Sequence, residues 1–363
     1  MAESFEIRPF EECIEKIKYT TKIASQDFKE SGRFPIISQE EAFISGYWDN
    51  PEDVFHINKP VVIFGDHSRH IKYVDFDFVI GADGVKILSP VKSINAKYFY
   101  YFLKWLDIPS LGYSRHYKAL KEKSVKVFSE TCQQRIVDEL DLLTGIIDKK
   151  NAQLRDLDAL AQSIFYDMFG DPITNEKGWP VRFLEEIASS QIGLTYKPEN
   201  VSETGTIVLR SSNIQNSIID LNDIVRVNCD IKEKQFVREG DILMCSRNGS
   251  FRLVGKVAKI QNLPERMSYG AFMTTIRSDY NDYLFGFFKT PAFRAQLGLA
   301  KTATINQITV KMLNAIQLPV PPKVIQSSFA ERIAHITSQQ NAIIESLNGI
   351  QHLFNSRMSL YFG

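Results

Sequence analysis

An internal repeat constrains the fold of this chain more than any other feature of its sequence. Residues 113–170 align without a gap on residues 306–363, a shift of 193 positions. Self-similarity of this length at one shift indicates two copies of one structural unit. The matched positions are Leu120 with Leu313, Gln133 with Gln326, Leu154 with Leu347, Leu157 with Ile350, Leu160 with Leu353, Phe169 with Phe362 and Gly170 with Gly363.

The regions upstream of these segments repeat more loosely. Gly81-Ala82 matches Gly270-Ala271 at a shift of 189, and the apolar run 61–64 matches 242–245 at a shift of 181. The shift changes only slightly, as expected when loops of different length separate the same elements in two diverged copies. Each copy is therefore predicted to begin with strands and turns and to end with one long helix.

Near the end of each copy, mostly apolar residues recur at alternating spacings of four and three. This spacing places them along one narrow stripe of a helix, here called the heptad seam. Gly170, followed by Asp171-Pro172, is expected to end the first helix, and Pro321-Pro322 stand where the second begins. The first seam is Ile136, Leu140, Leu143, Ile147, Lys150, Leu154, Leu157, Ala161, Ile164 and Met168, and the second is Phe329, Ile333, Ile336, Gln340, Ile343, Leu347, Ile350, Phe354, Arg357 and Tyr361.

The two helices have two possible arrangements. Each could pack only on its own domain, or the two could pair with each other. Strict 3.5-residue spacing favours pairing, because it makes a narrower stripe than a core-facing helix has. An antiparallel pair relates the two copies by an approximate two-fold axis. Lys150, Gln340 and Arg357 are the polar exceptions in the seams.

The globular regions carry strand and turn signals. Residues 206–209 and 242–245 are apolar or β-branched, residues 256–260 form another apolar segment, and Asn248-Gly249 is a strong turn signal. We predict an α+β fold with two strand-rich domains in tandem pseudo-repeat, each followed by a long helix, the two helices forming an antiparallel coiled coil. The predicted ranges are 1–127 for the first domain, 128–170 for its helix, 171–320 for the second domain and 321–363 for its helix.

Composition limits the class of protein. Lys plus Arg equals Asp plus Glu at 43 each, so net charge gives no evidence about a nucleic-acid partner. The cysteines are Cys13, Cys132, Cys229 and Cys245, too far apart for a CxxC zinc pair or a disulfide framework, which fits a reducing cytoplasm. Neither a signal-peptide core nor a run of about 18 apolar residues is present. We therefore expect a cytoplasmic protein without a membrane partner.

Motifs that would indicate an enzyme are missing or incomplete. Residues 249–257 resemble a phosphate-binding Walker A loop, but they have one residue too many between the glycines, and Val257 replaces the Mg²⁺-binding Ser or Thr. The chain has neither GxGxxG nor the Asn/Asp-Pro-Pro-aromatic motif of amino-methyltransferases. His67 and His70 are three residues apart, a spacing more often solvated than metal-bound in a loop. We expect no catalytic residue, metal or cofactor.

Local positive charge nevertheless favours a nucleic-acid partner, because cations supply most non-specific DNA affinity. Residues 242–264 and 283–330 contain no acid, and 113–126 contain only Glu122. Residues 246–250 form a donor-rich turn, matched in the first copy by residues 65–70, although an ordinary solvated hairpin loop is the alternative for each. The candidate DNA-binding residues are His67, Arg69, His70, Lys72, Tyr113, Arg115, His116, Lys118, Arg247, Asn248, Ser250, Arg252, Lys301 and Asn306.

Three sets of segments share the motifs of one known family. They are 306–313 with 316–322 and Gln326, 112–117 with Leu120, and the junction 169–172 with Asn175, Gly178-Trp179 and 185–187. These motifs resemble the specificity subunits of Type I restriction–modification systems. The first copy departs from the second in having Val125–Phe128 where the second has its prolines, which leaves the entry of the first helix open.

The resemblance implies a non-catalytic protein that recognises DNA. Each globular region would be a target recognition domain reading one half of a bipartite double-stranded DNA sequence. The paired helices would set the spacing and dock two methyltransferase subunits, which bind S-adenosylmethionine and methylate adenine. Separate restriction subunits would hydrolyse ATP and cut DNA. The alternative from another class is a structural coiled-coil assembly protein without sequence-specific DNA binding.

Overall fold

A computed structural model describes residues 4–109, 114–298 and 307–363, and the chain divides into two compact units. Unit 1 consists of Met1–Lys149 with Ser346–Gly363, and unit 2 consists of Lys150–Glu345. This division differs from the predicted consecutive domains, because each long helix contributes one part to each unit.

Unit 1 combines short strands with two short helices and one part of each long helix in its described residues. Its helices are α1 (Ala96–Trp105), α2 (Tyr117–Lys121), the first half of α3 (Glu130–Phe169) and the last part of the C-terminal helix α8 (Lys323–Phe362). Its strands are β1 (Phe5–Pro9), β2 (Ile14–Glu15), β3 (Lys22–Ile23), β4 (Phe34–Ile37), β5 (Gly46–Trp48), β6 (Val54–Phe55), β7 (Val61–Gly65), β8 (Ile71–Val74), β9 (Phe78–Gly81), β10 (Val85–Pro90) and β11 (Ser124–Phe128).

These strands form three sheets within the described part of unit 1. β1 pairs antiparallel with β11, and an antiparallel sheet has the order β2-β10-β7-β8. The third sheet has the order β3-β9-β4-β5, with parallel pairs at β9 and with β6 also on β9. Tyr98 and Phe102 of α1 pack with Ile136 of α3 in a core that reaches β7. The strand-rich character follows from buried β-branched segments such as β7.

Unit 2 repeats this mixture of strands and helices. Its helices are the second half of α3, then α4 (Leu184–Ile187), α5 (Asn281–Phe288), α6 (Pro291–Gln296), α7 (Val310–Asn314) and the first part of α8 (Lys323–Phe362). Its strands are β12 (Val181–Phe183), β13 (Ser189–Ile192), β14 (Val201–Ser202), β15 (Thr206–Leu209), β16 (Ile214–Gln215), β17 (Ile218–Ile219), β18 (Arg226–Val227), β19 (Ile242–Cys245), β20 (Val257–Lys259), β21 (Met267–Tyr269), β22 (Met273–Arg277) and β23 (Gln317–Pro319).

Two sheets of unit 2 have the same strand order as two sheets of unit 1. In unit 2, β12 pairs with β23, and an antiparallel sheet has the order β13-β22-β19-β20. These arrangements match β1 with β11 and β2-β10-β7-β8 of unit 1. A third sheet, β14-β18-β15-β21, has a parallel β15–β21 pair that corresponds to the parallel β4–β9 pair. The strand predictions at 206–209, 242–245 and 256–260 are confirmed, the last one as the shorter β20.

The entrances of the long helices use the matched glutamines in the same way. Gln133 donates from Nε2 to the carbonyl of Phe128 at 2.8 Å, and Gln326 donates from Nε2 to the carbonyl of Pro321 at 2.6 Å. Both glutamines are buried and satisfy a carbonyl five residues before them. The two helix entrances are therefore alike here, although only the second has prolines.

The long helices lie where the heptad spacing predicted helices, and every seam position is buried or half-buried. Gly170 ends α3 with a φ of +76°, a left-handed conformation that favours glycine. Two of the three polar seam residues have polar partners within their own units: Gln340 donates to Asp158 at 3.2 Å, and Arg357 forms an ion pair with Glu139 at 2.7 Å.

Candidate nucleic-acid interface

The loop between β19 and β20 is the first predicted contact region. Ser246 anchors its start, because the buried Ser246 hydroxyl donates to Thr274 Oγ1 at 2.7 Å and its carbonyl accepts from the amide of Ile308 at 2.7 Å. The Asn248 side chain accepts from the amide of Ser250 at 2.9 Å, a local bond that defines a tight turn. The loop is thus held at both its start and its tip.

Arg247 projects from this fixed loop and is exposed. Its amide donates to the carbonyl of Phe272 at 3.0 Å, and its guanidinium lies 5.2 Å from the centre of the Phe272 ring. A cation over an aromatic face is attracted by the negative charge of that face. Arg247 therefore has both its backbone and its side chain positioned by one neighbour.

The other predicted residues of this loop differ in availability. The Asn248 amide group is engaged at both ends, since Nδ2 donates to Ser211 Oγ at 3.1 Å while Oδ1 accepts from Ser250. Ser250 and Arg252 are exposed. Asn248 thus shapes the loop, and Arg247 and Arg252 are its exposed cations.

The corresponding loop of unit 1 joins β7 to β8. Asp66 fixes it from the interior: its Oδ1 accepts from the amide of Tyr117 at 2.8 Å, and its carbonyl accepts from the amide of His116 at 2.8 Å. The bond from the His116 amide to the Asp66 carbonyl corresponds to the Ser246–Ile308 bond of unit 2. Each of these bonds joins the loop to the segment that precedes a short helix, α2 in unit 1 and α7 in unit 2. Arg69 has a φ of +64° and donates to the carbonyl of Ile108 at 2.7 Å.

Two candidate DNA-binding residues of unit 1 lie in the interior. Lys72 is 5% exposed, and its ammonium donates to the carbonyls of Ser38 at 2.9 Å, Ala42 and Phe43. Burial lowers the pKa of this ammonium. His116 is 1% exposed, with Nδ1 3.0 Å from the carbonyl of Asp66. Both side chains stabilise the fold here and do not form part of an exposed surface.

The remaining candidates of unit 1 lie at or near the surface. His67 is half-buried, with its amide donating to Gln39 Oε1 at 3.2 Å. The exposed candidates are Arg69, His70, Arg115 and Lys118. The candidates Tyr113, Lys301 and Asn306 lie outside the described residues.

Acid-free stretches of sequence overstate the available positive charge. Lys259 forms an ion pair with Asp282, and Lys289 forms one with Asp158 at 2.7 Å. In the first copy, Lys121 pairs with Glu11 at 2.6 Å. The carboxylates come from distant positions in the sequence, so a local charge count does not detect them.

Sequence reasoning missed Phe272, which is 58% exposed beside Arg247. It borders a cleft lined by Tyr196, Arg210 and Ser211, in which Arg210 pairs with Asp223 at 2.8 Å. The signal available in the sequence was the matched Gly270-Ala271 pair, which comes directly before this aromatic residue.

Neither a metal-binding cluster nor a membrane-spanning helix is found among the described residues. Within ranges 4–109, 114–298 and 307–363, no three His, Cys, Asp or Glu side chains group closely enough to hold a metal ion. Among the same residues, no helix has the length and apolar character needed to cross a membrane.

A family comparison identifies the second half of the chain. Residues 176–351 match the model of the Type I restriction modification DNA specificity domain. This part of the chain is similar to the specificity subunits of Type I restriction–modification systems. The resemblance carried by the sequence motifs is therefore confirmed.

Curated relatives of this specificity-subunit type match part of the chain. The Type I restriction enzyme EcoKI specificity subunit of Escherichia coli K12 is 30% identical over 172 residues, covering 45% of this chain and 37% of the relative. The StySPI specificity subunit of Salmonella potsdam is 28% identical over 186 residues, covering 49% of this chain and 40% of the relative. The chain therefore matches less than half the length of either protein.

A solved structure matches over the whole chain. It is the S subunit of a Type-I restriction-modification system from M. genitalium, with a TM-score of 0.58 and 13% identity, covering 100% of this chain and 97% of that chain. At this identity the likeness shows a shared fold, and it agrees with the predicted α+β class.

Proposed function

We propose that the chain is the DNA-recognition subunit of a Type I restriction–modification complex. The observation that carries this proposal is the specificity-domain match over 176–351, a range that contains the exposed Arg247 on its anchored loop. The function is to read bases in double-stranded DNA through side chains that a rigid scaffold presents.

The DNA target is bipartite in this proposal, with one half read by each globular region. The corresponding strand orders of units 1 and 2 support a tandem pseudo-repeat. The β7–β8 and β19–β20 loops occupy the same place in that order, and they carry different exposed side chains. The two target recognition domains, 1–127 and 171–320, therefore read different bases.

The long helices form an antiparallel coiled coil that sets the spacing between half-sites. In unit 2, the Phe165 and Phe169 rings lie 5.9 Å and 4.9 Å from Phe329, and Asp158 accepts from Gln340. Later residues of α3 thus contact earlier residues of α8, which is the order of an antiparallel pair. In unit 1, Glu139 contacts Arg357 and Tyr361, near the opposite ends of the same helices.

The catalytic steps belong to partner subunits. Two methyltransferase subunits dock on the helices at 128–170 and 321–363, and restriction subunits supply the motor and nuclease. The incomplete Walker A resemblance of 249–257 supports a chain that leaves ATP hydrolysis to its partners, because Val257, the first residue of β20, stands where a Mg²⁺-binding hydroxyl would be needed.

The test is selection from randomised duplex DNA by the full chain co-expressed with its methyltransferase subunits. The expected result is enrichment of two short sequences separated by a fixed spacer. Arg247→Ala should alter this enrichment, whereas Lys234→Ala, which removes an exposed cation of a short turn in the same unit, should not. Binding without any enriched sequence would favour a structural assembly protein.

A further inference from the structure

An exposed aromatic ring beside a predicted base-reading arginine is the feature that the proposed function leaves unexplained. Phe272 is 58% exposed on the turn that precedes β22. Its carbonyl accepts from the amides of Ser246 at 2.9 Å and Arg247 at 3.0 Å, so this turn and the β19–β20 loop are joined. The ring is therefore held on a fixed backbone while it remains in contact with water.

The Arg247 guanidinium covers one face of this ring, at 5.2 Å from its centre. A ring that wedges between two base pairs inserts between their stacked faces and partly unstacks them. With one face occupied by Arg247, Phe272 retains its edge and its other face for contact. That surface suits a small apolar group on a base better than insertion into the base stack.

The Asn248 amide group is already engaged by Ser211 and Ser250, so it does not compete with Arg247 for the bases. Stacking on Phe272 also limits the orientations of the Arg247 guanidinium. A guanidinium held in one orientation suits the forked contact with guanine O6 and N7, whereas a phosphate contact needs no such restriction.

We propose that Arg247 and Phe272 act as one reading module that recognises a guanine next to a thymine. Arg247 donates to O6 and N7 of the guanine, and Phe272 contacts the C5-methyl group of the thymine. All three groups lie in the major groove. The 5.2 Å separation of the guanidinium and the ring centre lies between one and two base-pair steps of about 3.4 Å each, which brings neighbouring bases within reach of the two groups. This inference rests on the proposed function and makes Phe272 a specificity-determining residue.

The test replaces the thymine of the second half-site by deoxyuridine, which removes only the methyl group. Affinity is measured with the full chain and its co-expressed methyltransferase subunits. Loss of one apolar carbon contact should weaken binding about fourfold, since one buried CH₂ contributes about 0.8 kcal/mol. Replacing the adjacent guanine by 7-deazaguanine, which lacks the N7 acceptor, should also weaken binding.

Phe272→Ala should abolish the effect of deoxyuridine while leaving a preference for the guanine. Val201→Ala is the matched control, because Val201 is also exposed, at 49%, and apolar in unit 2. In this control the fourfold effect of deoxyuridine should persist. The first measurement does not depend on whether Phe272→Ala folds, because deoxyuridine is tested first on the unaltered protein.

Three results would overturn the inference. One is a second half-site without adjacent guanine and thymine. Another is an equal effect of deoxyuridine in the unaltered protein and in Phe272→Ala. The third uses 2-aminopurine placed in the DNA beside the site. If binding increases its fluorescence and Phe272→Ala abolishes that increase, the Phe272 ring inserts into the base stack. If the protein selects no DNA sequence at all, the proposed function itself fails. If it selects a sequence but gives one of these three results, only the inference about Arg247 and Phe272 fails.

Discussion

Lengthening both long helices at the boundaries between the two units should lengthen the preferred gap between the two DNA half-sites. The compact units divide between Lys149 and Lys150 in α3 and between Glu345 and Ser346 in α8. Four residues inserted at both points leave the contacts inside each unit intact. They add about 6 Å at about 1.5 Å per residue. At about 3.4 Å per base pair, the preferred spacer should grow by roughly two base pairs.

The assay is methylation of a DNA library with fixed half-sites and randomised spacer length, by the full chain with its methyltransferase subunits. A seven-residue insertion at both points keeps the heptad phase and should add roughly three base pairs. The same four residues inserted after Glu203, in an exposed turn, should leave the spacer unchanged. If the paired insertions change the recognised bases but not the spacer, the helices do not set the distance.

Three further outcomes are expected. Arg247→Ala should relax one position of the second half-site at a cost of about 1–3 kcal/mol in binding, measured by sequence-resolved binding; an equal loss for all sequences would make Arg247 a phosphate contact. Phe329→Ala should lower the free energy of unfolding by about 3–5 kcal/mol in urea titrations, because Phe329 is buried between Phe165 and Phe169, whereas Val324→Ala, at an 80% exposed site of the same helix, should cost less than about 0.5 kcal/mol. Burial and a hydrogen bond to Glu139 raise the pKa of Tyr361 to about 12. Because the unfolded state loses this proton at lower pH than the folded state, the melting temperature should fall as pH rises from about 10 to 12. An identical slope of melting temperature against pH in Tyr361→Phe would refute this coupling.

The elements with a regular sequence period could be predicted from the sequence. The heptad spacing placed α3 and α8, and Gly170 marked the end of α3 because its φ is positive. The repeat also matched β7 with β19, and these strands hold the same position in their sheets. Such features depend on neighbours within a few residues, or on one pattern that occurs twice.

The features of the candidate site that were missed depend on contacts between distant segments. Lys72 follows a polar loop in the sequence, yet its ammonium is buried and donates to backbone carbonyls about 30 residues away. Lys259 is neutralised by Asp282, which lies outside the acid-free stretch. Phe272 was not among the candidate residues, because only the tertiary structure brings its exposed ring beside Arg247.

Exchange of one globular region tests the central claim most directly. Residues 171–320 would be replaced by the corresponding region of another Type I specificity subunit, and the methylated motif would be read by sequencing DNA modified by the complex. The account predicts that one half of the motif changes to that of the donor while the other half is retained. A motif in which both halves change, or neither does, would contradict the reading of one half-site by each domain.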